Sequence, residues 1–274
     1  MSDLNLVDTH AHLDFDQFAE DRGQVLARAT AAGVTRLINV GTSLAASERC
    51  IELATAHENV WAAAGVHPSE SGELVAEDGT VKPDAAARLR KLAHHERVVA
   101  IGEIGFDLFR DTNPSEELQL AAFHAQGEIA QEAGLPVIIH LRAATEPALD
   151  TLVGHVCAAA ADPSRRHPGV AHCYTGGLAD AKRLLQAGYY ISFTAPITYP
   201  KNYALREVVK AVPLEKIMVE TDCPFLPPPA LRGQRNEPAY VVKTAKKIAE
   251  LKGISLEEVA DATTANAERL FGIA

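Results

Sequence analysis

Short β-branched or apolar runs recur along the chain, each followed by an amphipathic stretch of helical length, the alternation expected of βα units around a parallel sheet. Eight runs predict strands: Leu4–Asp8, Arg36–Val40, Val60–Gly65, Val98–Gly102, Val137–His140, Gly169–His172, Tyr190–Phe193 and Ile217–Glu220. Their spacing of roughly 20 to 40 residues accommodates a strand and a helix each time. Pro114 and Ser115 open a periodic apolar run through Ala133, and Gly134-Leu135-Pro136 stops it; Gly33 and Gly188 punctuate the chain similarly. Ala239–Leu251 and Ser255–Phe271 are predicted as the last helices, the second with Ser255 and Glu258 in capping-box spacing. Eight such units closing on themselves predict an α/β fold of the (β/α)8 TIM-barrel class. With no linker-like stretch and no sequence repeat, one domain over residues 1–274 is expected.

Two stretches interrupt the alternation. Ser69–Lys82 is acidic and contains Gly and Ser, and reads as a solvated loop. Pro224–Pro238 carries Pro227-Pro228-Pro229, then Arg232, Arg235 and Asn236, directly after the last predicted strand, where barrel enzymes place substrate contacts.

Composition narrows the function classes. The formal charge of −10 argues against broad electrostatic adhesion to nucleic acid, so a nucleic-acid substrate must be gripped locally. No run of eighteen apolar residues occurs, and the first residues, MSDLNLVDTH, lack the basic and apolar regions of a signal peptide. Neither membrane insertion nor export is expected, and a cytoplasmic location follows. Cys50, Cys157, Cys173 and Cys223 lie far apart without a CxxC pair, indicating reduced thiols rather than disulfides or a thiolate zinc site.

The chemistry begins at Asp8-Thr9-His10-Ala11-His12. Strand residues two apart share a face, so both imidazoles point to one place. Alone this is weak, since eleven histidines in such a chain give about 0.4 such pairs by chance. Metal-type side chains recur, however, at the predicted carboxyl ends of strand after strand: His67, Glu103, His140, His172 and Asp222. A purely structural core would place Val, Ile and Leu there, and ionisable groups are seldom buried without partners or a metal. His57, His94, His95, His124, His155 and His167 fall on predicted helices or loops and receive no role. Cys173 and Cys223 flank candidate ligands and read as small buried thiols. Gly176-Gly177 suits either an anion-facing helix start or a plain turn.

Imidazoles and carboxylates without thiolates suit Zn, Mn, Fe or Mg, and the set exceeds the needs of one four-coordinate ion. Two divalent metal ions are therefore expected, with Glu103 as the candidate bridge. Such a pair can lower the pKa of a bound water and hold both oxygens of a phosphate ester undergoing displacement.

With these residues in view, the sequence resembles the TatD-type deoxyribonucleases, a family of metal-dependent hydrolases among the amidohydrolase-like barrels. The match runs through Asp8-Thr-His-Ala-His-Leu-Asp14, Gly65-Val-His-Pro68, Ile101-Gly-Glu-Ile-Gly-Phe-Asp107, His140-Leu-Arg142, His172-Cys-Tyr-Thr-Gly176, Glu220-Thr-Asp-Cys-Pro224, Arg232-Gly-Gln-Arg-Asn-Glu-Pro238 and Thr264-Ala-Asn-Ala-Glu-Arg-Leu-Phe271. The resemblance implies one metal held by His10, His12 and Asp222, a second by His140 and His172, and Glu103 shared between them. It further implies that His67 contacts the scissile phosphate, that Asp222 orients or deprotonates the attacking water, and that Glu220 stands behind it. Arg142, Arg232 and Arg235 would meet phosphates. Three positions depart from the pattern: Phe106 replaces a usual leucine, Phe109 stands where tyrosine is frequent, and Ala143 replaces an aspartate, leaving Arg142 without that neighbour.

The resemblance implies a 3′-to-5′ exonuclease acting on single-stranded DNA or 3′ ends, with no membrane and no obligate protein partner. Ester or amide hydrolysis, for example by a D-aminoacyl-tRNA deacylase, is the alternative, since the same metals polarise a carbonyl. Amide-cleaving barrels often bridge their metals with a carboxylated lysine, whereas Glu103 stands at that place here. A metal-binding scaffold without turnover is the third reading, and retention of every candidate ligand speaks against it.

Overall fold

A computed structural model describes residues 4–159 and 168–273, the side chains of residues 155–159 excepted. Cys157, His167 and the side chain of His155 thus lie outside the described residues. All eight predicted strands occur, in the order β1 (Leu6–Ala11), β2 (Val34–Val40), β3 (Val60–Ala64), β4 (Val98–Asp107), β5 (Val137–Arg142), β6 (Gly169–Ala171), β7 (Tyr190–Phe193) and β8 (Ile217–Val219). Helices alternate with them: α1 (Arg22–Ala31), α2 (Leu44–Ala56), α3 (Pro83–Ala93), α4 (Glu116–Ala133), α5 (Glu146–Ala159), α6 (Leu178–Gln186), α7 (Tyr203–Ala211), α8 (Val241–Lys252) and α9 (Leu256–Phe271). The strands follow one another in chain order, the topology of the (β/α)8 barrel class.

The residues group into two compact units, neither a continuous segment. The first comprises Met1–Asn39, Cys173–Leu185 and Tyr190–Ala274. In it β1 runs parallel to β2, β7 runs parallel to β8, and an Ala11–Cys223 bridge joins the end of β1 to the chain just past β8. Its core is built of Leu6, Val7, Phe18, Val34, Leu37, Ile191, Phe193, Ile217 and Met218, with Val241, Ile248, Val259 and Ala267 from the last two helices. The second unit comprises Val40–His172 and Gln186–Tyr189, with β3, β4, β5 and β6 paired in sequence, all parallel. β1, β4 and β6 are buried at every position, as strands of a sheet covered on both faces must be.

Local signals explain several element ends. Ser115 accepts a hydrogen bond from the Leu118 amide at the start of α4, and Gly134 closes that helix with φ 70°. The capping box of α9 is complete: Ser255 Oγ accepts from the Glu258 amide at 3.1 Å, and Glu258 Oε2 accepts from the Ser255 amide at 2.8 Å. Ser255→Ala is expected to lower stability by about 1 kcal/mol in urea titration; an unchanged midpoint would show that the last helix holds without its cap.

Two expectations need correction. β4 does not stop at Gly102 but continues to Asp107, because Ile104 through Asp107 pair with Ile139 through Arg142 of β5, overriding the glycine punctuation. Ser69–Lys82 is not merely a solvated loop: residues Pro68–Glu73 form a 3-10 helix, Val75 bridges Val81, and Leu74 and Val75 are buried. Glu73 there accepts the Leu44 amide at 2.9 Å, capping α2. His67 lies beyond the end of β3, as the residue that caps this 3-10 helix.

Candidate metal centre

In the first unit, β1 carries His10 on its last full turn of pleat and His12 just beyond, while Asp222 follows β8. His10 Nε2 and His12 Nε2 are 3.2 Å apart, and Asp222 Oδ1 lies 3.9 and 3.4 Å from them. Nitrogen and oxygen ligands set ~2.0–2.2 Å from one ion are themselves about 3–3.6 Å apart; the His10–His12 and His12–Asp222 separations fall in that range and the His10–Asp222 separation is slightly wider, so the three donors face one point where a divalent cation can be held. Both imidazoles are buried, and Asp222 stays partly open to solvent.

The backbone that presents Asp222 is held from two sides. Its amide donates to the His10 carbonyl at 2.9 Å, with the residue in the left-handed region at φ 55°. Before it, Thr221 donates through its amide and hydroxyl to buried Asp8, at 2.9 and 2.6 Å. Burial raises the Asp8 pKa to about 7 against the lowering by Thr221. After it, the Asn236 side-chain amide donates to the carbonyls of Thr221 at 2.9 Å and Phe225 at 2.7 Å, while the Asn236 amide reaches the Pro224 carbonyl. Buried Glu220 accepts the Cys173 amide at 2.5 Å and the Thr9 hydroxyl at 3.5 Å. Phe15 stacks on His12 with ring centroids 5.0 Å apart, and Phe225 meets both rings edge-on.

The second unit builds its own cluster. Glu103 within β4, His140 within β5 and His172 after β6 converge: Glu103 Oε1 hydrogen-bonds His140 Nδ1, lies 2.7 Å from His172 Nε2, and the two imidazole nitrogens are 3.3 Å apart. These three donor atoms gather closely enough that one cation could be held among them. Burial opposes a charge on His140, and the Glu103 and Asp107 carboxylates outweigh it, so its pKa is raised. That pull on positive charge is what a cation site requires. His67 stands at the edge, Nε2 3.8 Å from Glu103 Oε1. Its Nδ1 accepts the Ser69 amide at 3.1 Å, which places the ring proton on Nε2. Burial lowers its pKa to about 4, so near neutrality it is an uncharged donor aimed into the cluster.

The arginines separate. Arg142 lacks a carboxylate at position 143 but finds one in Asp107, with Nη1 4.0 Å from Oδ2, and its guanidinium lies 4.0 Å over the Phe109 ring. Arg235 gives its donors to Asp21 at 2.7 and 2.8 Å and to Glu237 at 2.9 Å. Asp21 is held at a pKa of about 2, chiefly by these Arg235 hydrogen bonds and also by Arg28. Arg235 is thereby engaged in tying its loop to α1, whereas Arg232 is exposed.

Sequence reasoning overlooked the supports. Gln119 bonds the Asp107 amide at 2.8 Å and Gln126 the Val66 amide at 2.7 Å, both from α4 into the ends of β4 and β3. Asn39 likewise accepts the Leu13 amide at 2.5 Å and donates to Asp14 at 3.2 Å. Buried amides within an amphipathic helix are the signal that marks them, since such groups are rarely buried without partners. Cys50 and Cys223 are buried thiols, and burial pushes the Cys223 pKa up, which suits an inert side chain.

The model of the family described as TatD related DNase matches residues 7–272. An uncharacterized metal-dependent hydrolase of Bacillus subtilis, YabD, is 39% identical over 268 residues, covering 98% of this chain and 99% of its own. A protein of Citrobacter rodentium named 3'-5' ssDNA/RNA exonuclease TatD is 37% identical over 280 residues, covering 98% of each. Among solved structures, the Escherichia coli TatD homologue YJJV superposes with a TM-score of 0.87 at 32% identity, covering 98% of each chain.

Proposed function

This chain belongs to the TatD-related DNase family of metal-dependent hydrolases, and from that premise we propose that it is a 3′-to-5′ exonuclease acting on single-stranded DNA with two divalent ions. The observation that carries the reading is the pair of three-donor clusters, His10/His12/Asp222 and Glu103/His140/His172, each gathering its imidazole and carboxylate atoms around one point. Their donors are imidazole and carboxylate, which suit Mg, Mn or Zn. Support for a phosphodiester substrate comes from the relative named as an ssDNA/RNA exonuclease.

His10, His12 and Asp222, and Glu103, His140 and His172, would hold the divalent ions, which when bound would acidify a water and offset the negative charge of the phosphate. The protein's own groups do the rest. Asp222, partly open to solvent, takes the proton of the attacking water, and Glu220 holds the Cys173 backbone beside it. His67 donates its Nε2 proton to a phosphate oxygen, a role its neutral tautomer allows. Arg142 offers its forked donors to the next phosphate, and Arg232 to the strand further out.

The test is to incubate the full chain and Mn²⁺ or Mg²⁺ with single-stranded DNA labelled at either end, and in parallel with charged tRNA. Mononucleotides released first from the 3′ label, with chelation ending release, are expected. Discharge of tRNA without nucleotide release would replace this reading by that of a deacylase.

A further inference from the structure

Beside the Glu103/His140/His172 cluster the chain exposes an aromatic ring that its surroundings hold still. Phe109 is 60% exposed, although it lies only two residues past β4. Its amide donates to Asp107 Oδ1 at 3.0 Å, and the preceding Leu108 amide donates to the Arg142 carbonyl at 3.0 Å. Asn113 donates to the Asp107 carbonyl at 2.9 Å, closing the loop beneath the ring. The backbone that carries the ring is therefore fixed at the ends of β4 and β5 rather than on a loose tip.

Its neighbours connect it to the candidate chemistry. The Arg142 guanidinium lies 4.0 Å from the ring centroid, and its Nη1 is 4.0 Å from Asp107 Oδ2. The same Asp107 oxygen is 3.4 Å from His140 Nε2, so three short steps lead from the ring to a proposed metal ligand. Arg142 is half-exposed, with donors to spare beyond its single long approach to Asp107. An isolated exposed phenylalanine needs no explanation. A rigid ring joined to a partly free guanidinium presents one flat apolar face and one anion-binding fork side by side. That pairing matches a nucleotide, whose base offers a π face and whose phosphate offers oxygens to a planar donor.

We infer that Phe109 and Arg142 form a nucleotide subsite, with Phe109 stacking the nucleobase next to the scissile bond and Arg142 holding that nucleotide's phosphate. The inference rests on the nuclease reading above and adds to it the group that recognises the base. Because a π face is common to all bases, the subsite favours the presence of a base over its identity.

The experiment compares the full-length parent, Phe109→Ala and Phe109→Trp, loaded with Mn²⁺, on a single-stranded oligodeoxynucleotide and on the same strand carrying tetrahydrofuran abasic residues at its 3′ end. Phe109→Ala is expected to raise KM for the base-bearing strand about tenfold with kcat retained. The parent should show a comparable KM difference between base-bearing and abasic strands, and the variant should lose that difference. Phe109→Trp should keep it, with its indole fluorescence quenched when the base-bearing strand binds. Metal content and melting temperature report on folding, and the exposure of the ring means that neither should move. An unchanged KM in Phe109→Ala, or an equal penalty on both strands, overturns the subsite and leaves the nuclease reading standing. A parent that cuts neither strand overturns both.

Discussion

Asp222→Asn is expected to lower kcat/KM on single-stranded DNA by about 10²–10⁴-fold, the range associated with loss of a positioned proton acceptor. The substitution keeps the side chain's shape and removes its charge. Asp222 Oδ1 faces both His10 and His12, so the variant should also bind one ion fewer per chain when assayed by elemental analysis. Glu220→Gln provides the contrast. Glu220 accepts from the Cys173 amide and the Thr9 hydroxyl, and groups that orient rather than ligate typically cost about 10–100-fold. Parental turnover by Asp222→Asn, or a larger loss from Glu220→Gln, would reverse the two roles. Glu103→Gln should empty the other cluster in the same assay, since its Oε1 faces both His140 and His172.

Gly105→Ala should be the most damaging single-methyl change to the fold. Gly105 has φ +135°, a conformation that L side chains rarely adopt, and a Cβ added there would overlap the carbonyl oxygen of His140. Strain of about 1–3 kcal/mol from the backbone and about 1–3 kcal/mol from overpacking is expected, so urea unfolding should show a loss of about 2–6 kcal/mol. The β4–β5 register at Gly105 and His140 means that relief must come from moving a candidate ligand, and activity should fall with stability. Gly134→Ala is the control: its φ of 70° is also left-handed, but the added methyl meets nothing, and about 1–2 kcal/mol is expected. Equal costs at the two positions would show that backbone strain, not the close approach of β4 to β5, governs the first.

Much of this arrangement was legible in the residues. Strands announce themselves because a sheet covered on both faces requires unbroken apolar runs, and the ligands announce themselves because His10, Glu103 and His172 interrupt such runs where no polar group belongs. The end of β4 was hidden, since Gly102 and Gly105 look like turn residues until β5 is laid beside them. Leu74 and Val75 were hidden by the acidic residues around them. Arg142 and Arg235 look alike in sequence, and only the position of Asp107 and of Asp21 with Glu237 tells them apart. No helix among the described residues is long and apolar enough to cross a membrane, in keeping with the absence of long apolar runs.

The hold of Asn236 on Thr221, Pro224 and Phe225 ties the two ends of an intervening excursion into a closed knot. Residues 227–234 therefore leave and return at a sealed base, so their length and composition can drift while Asp222 stays put.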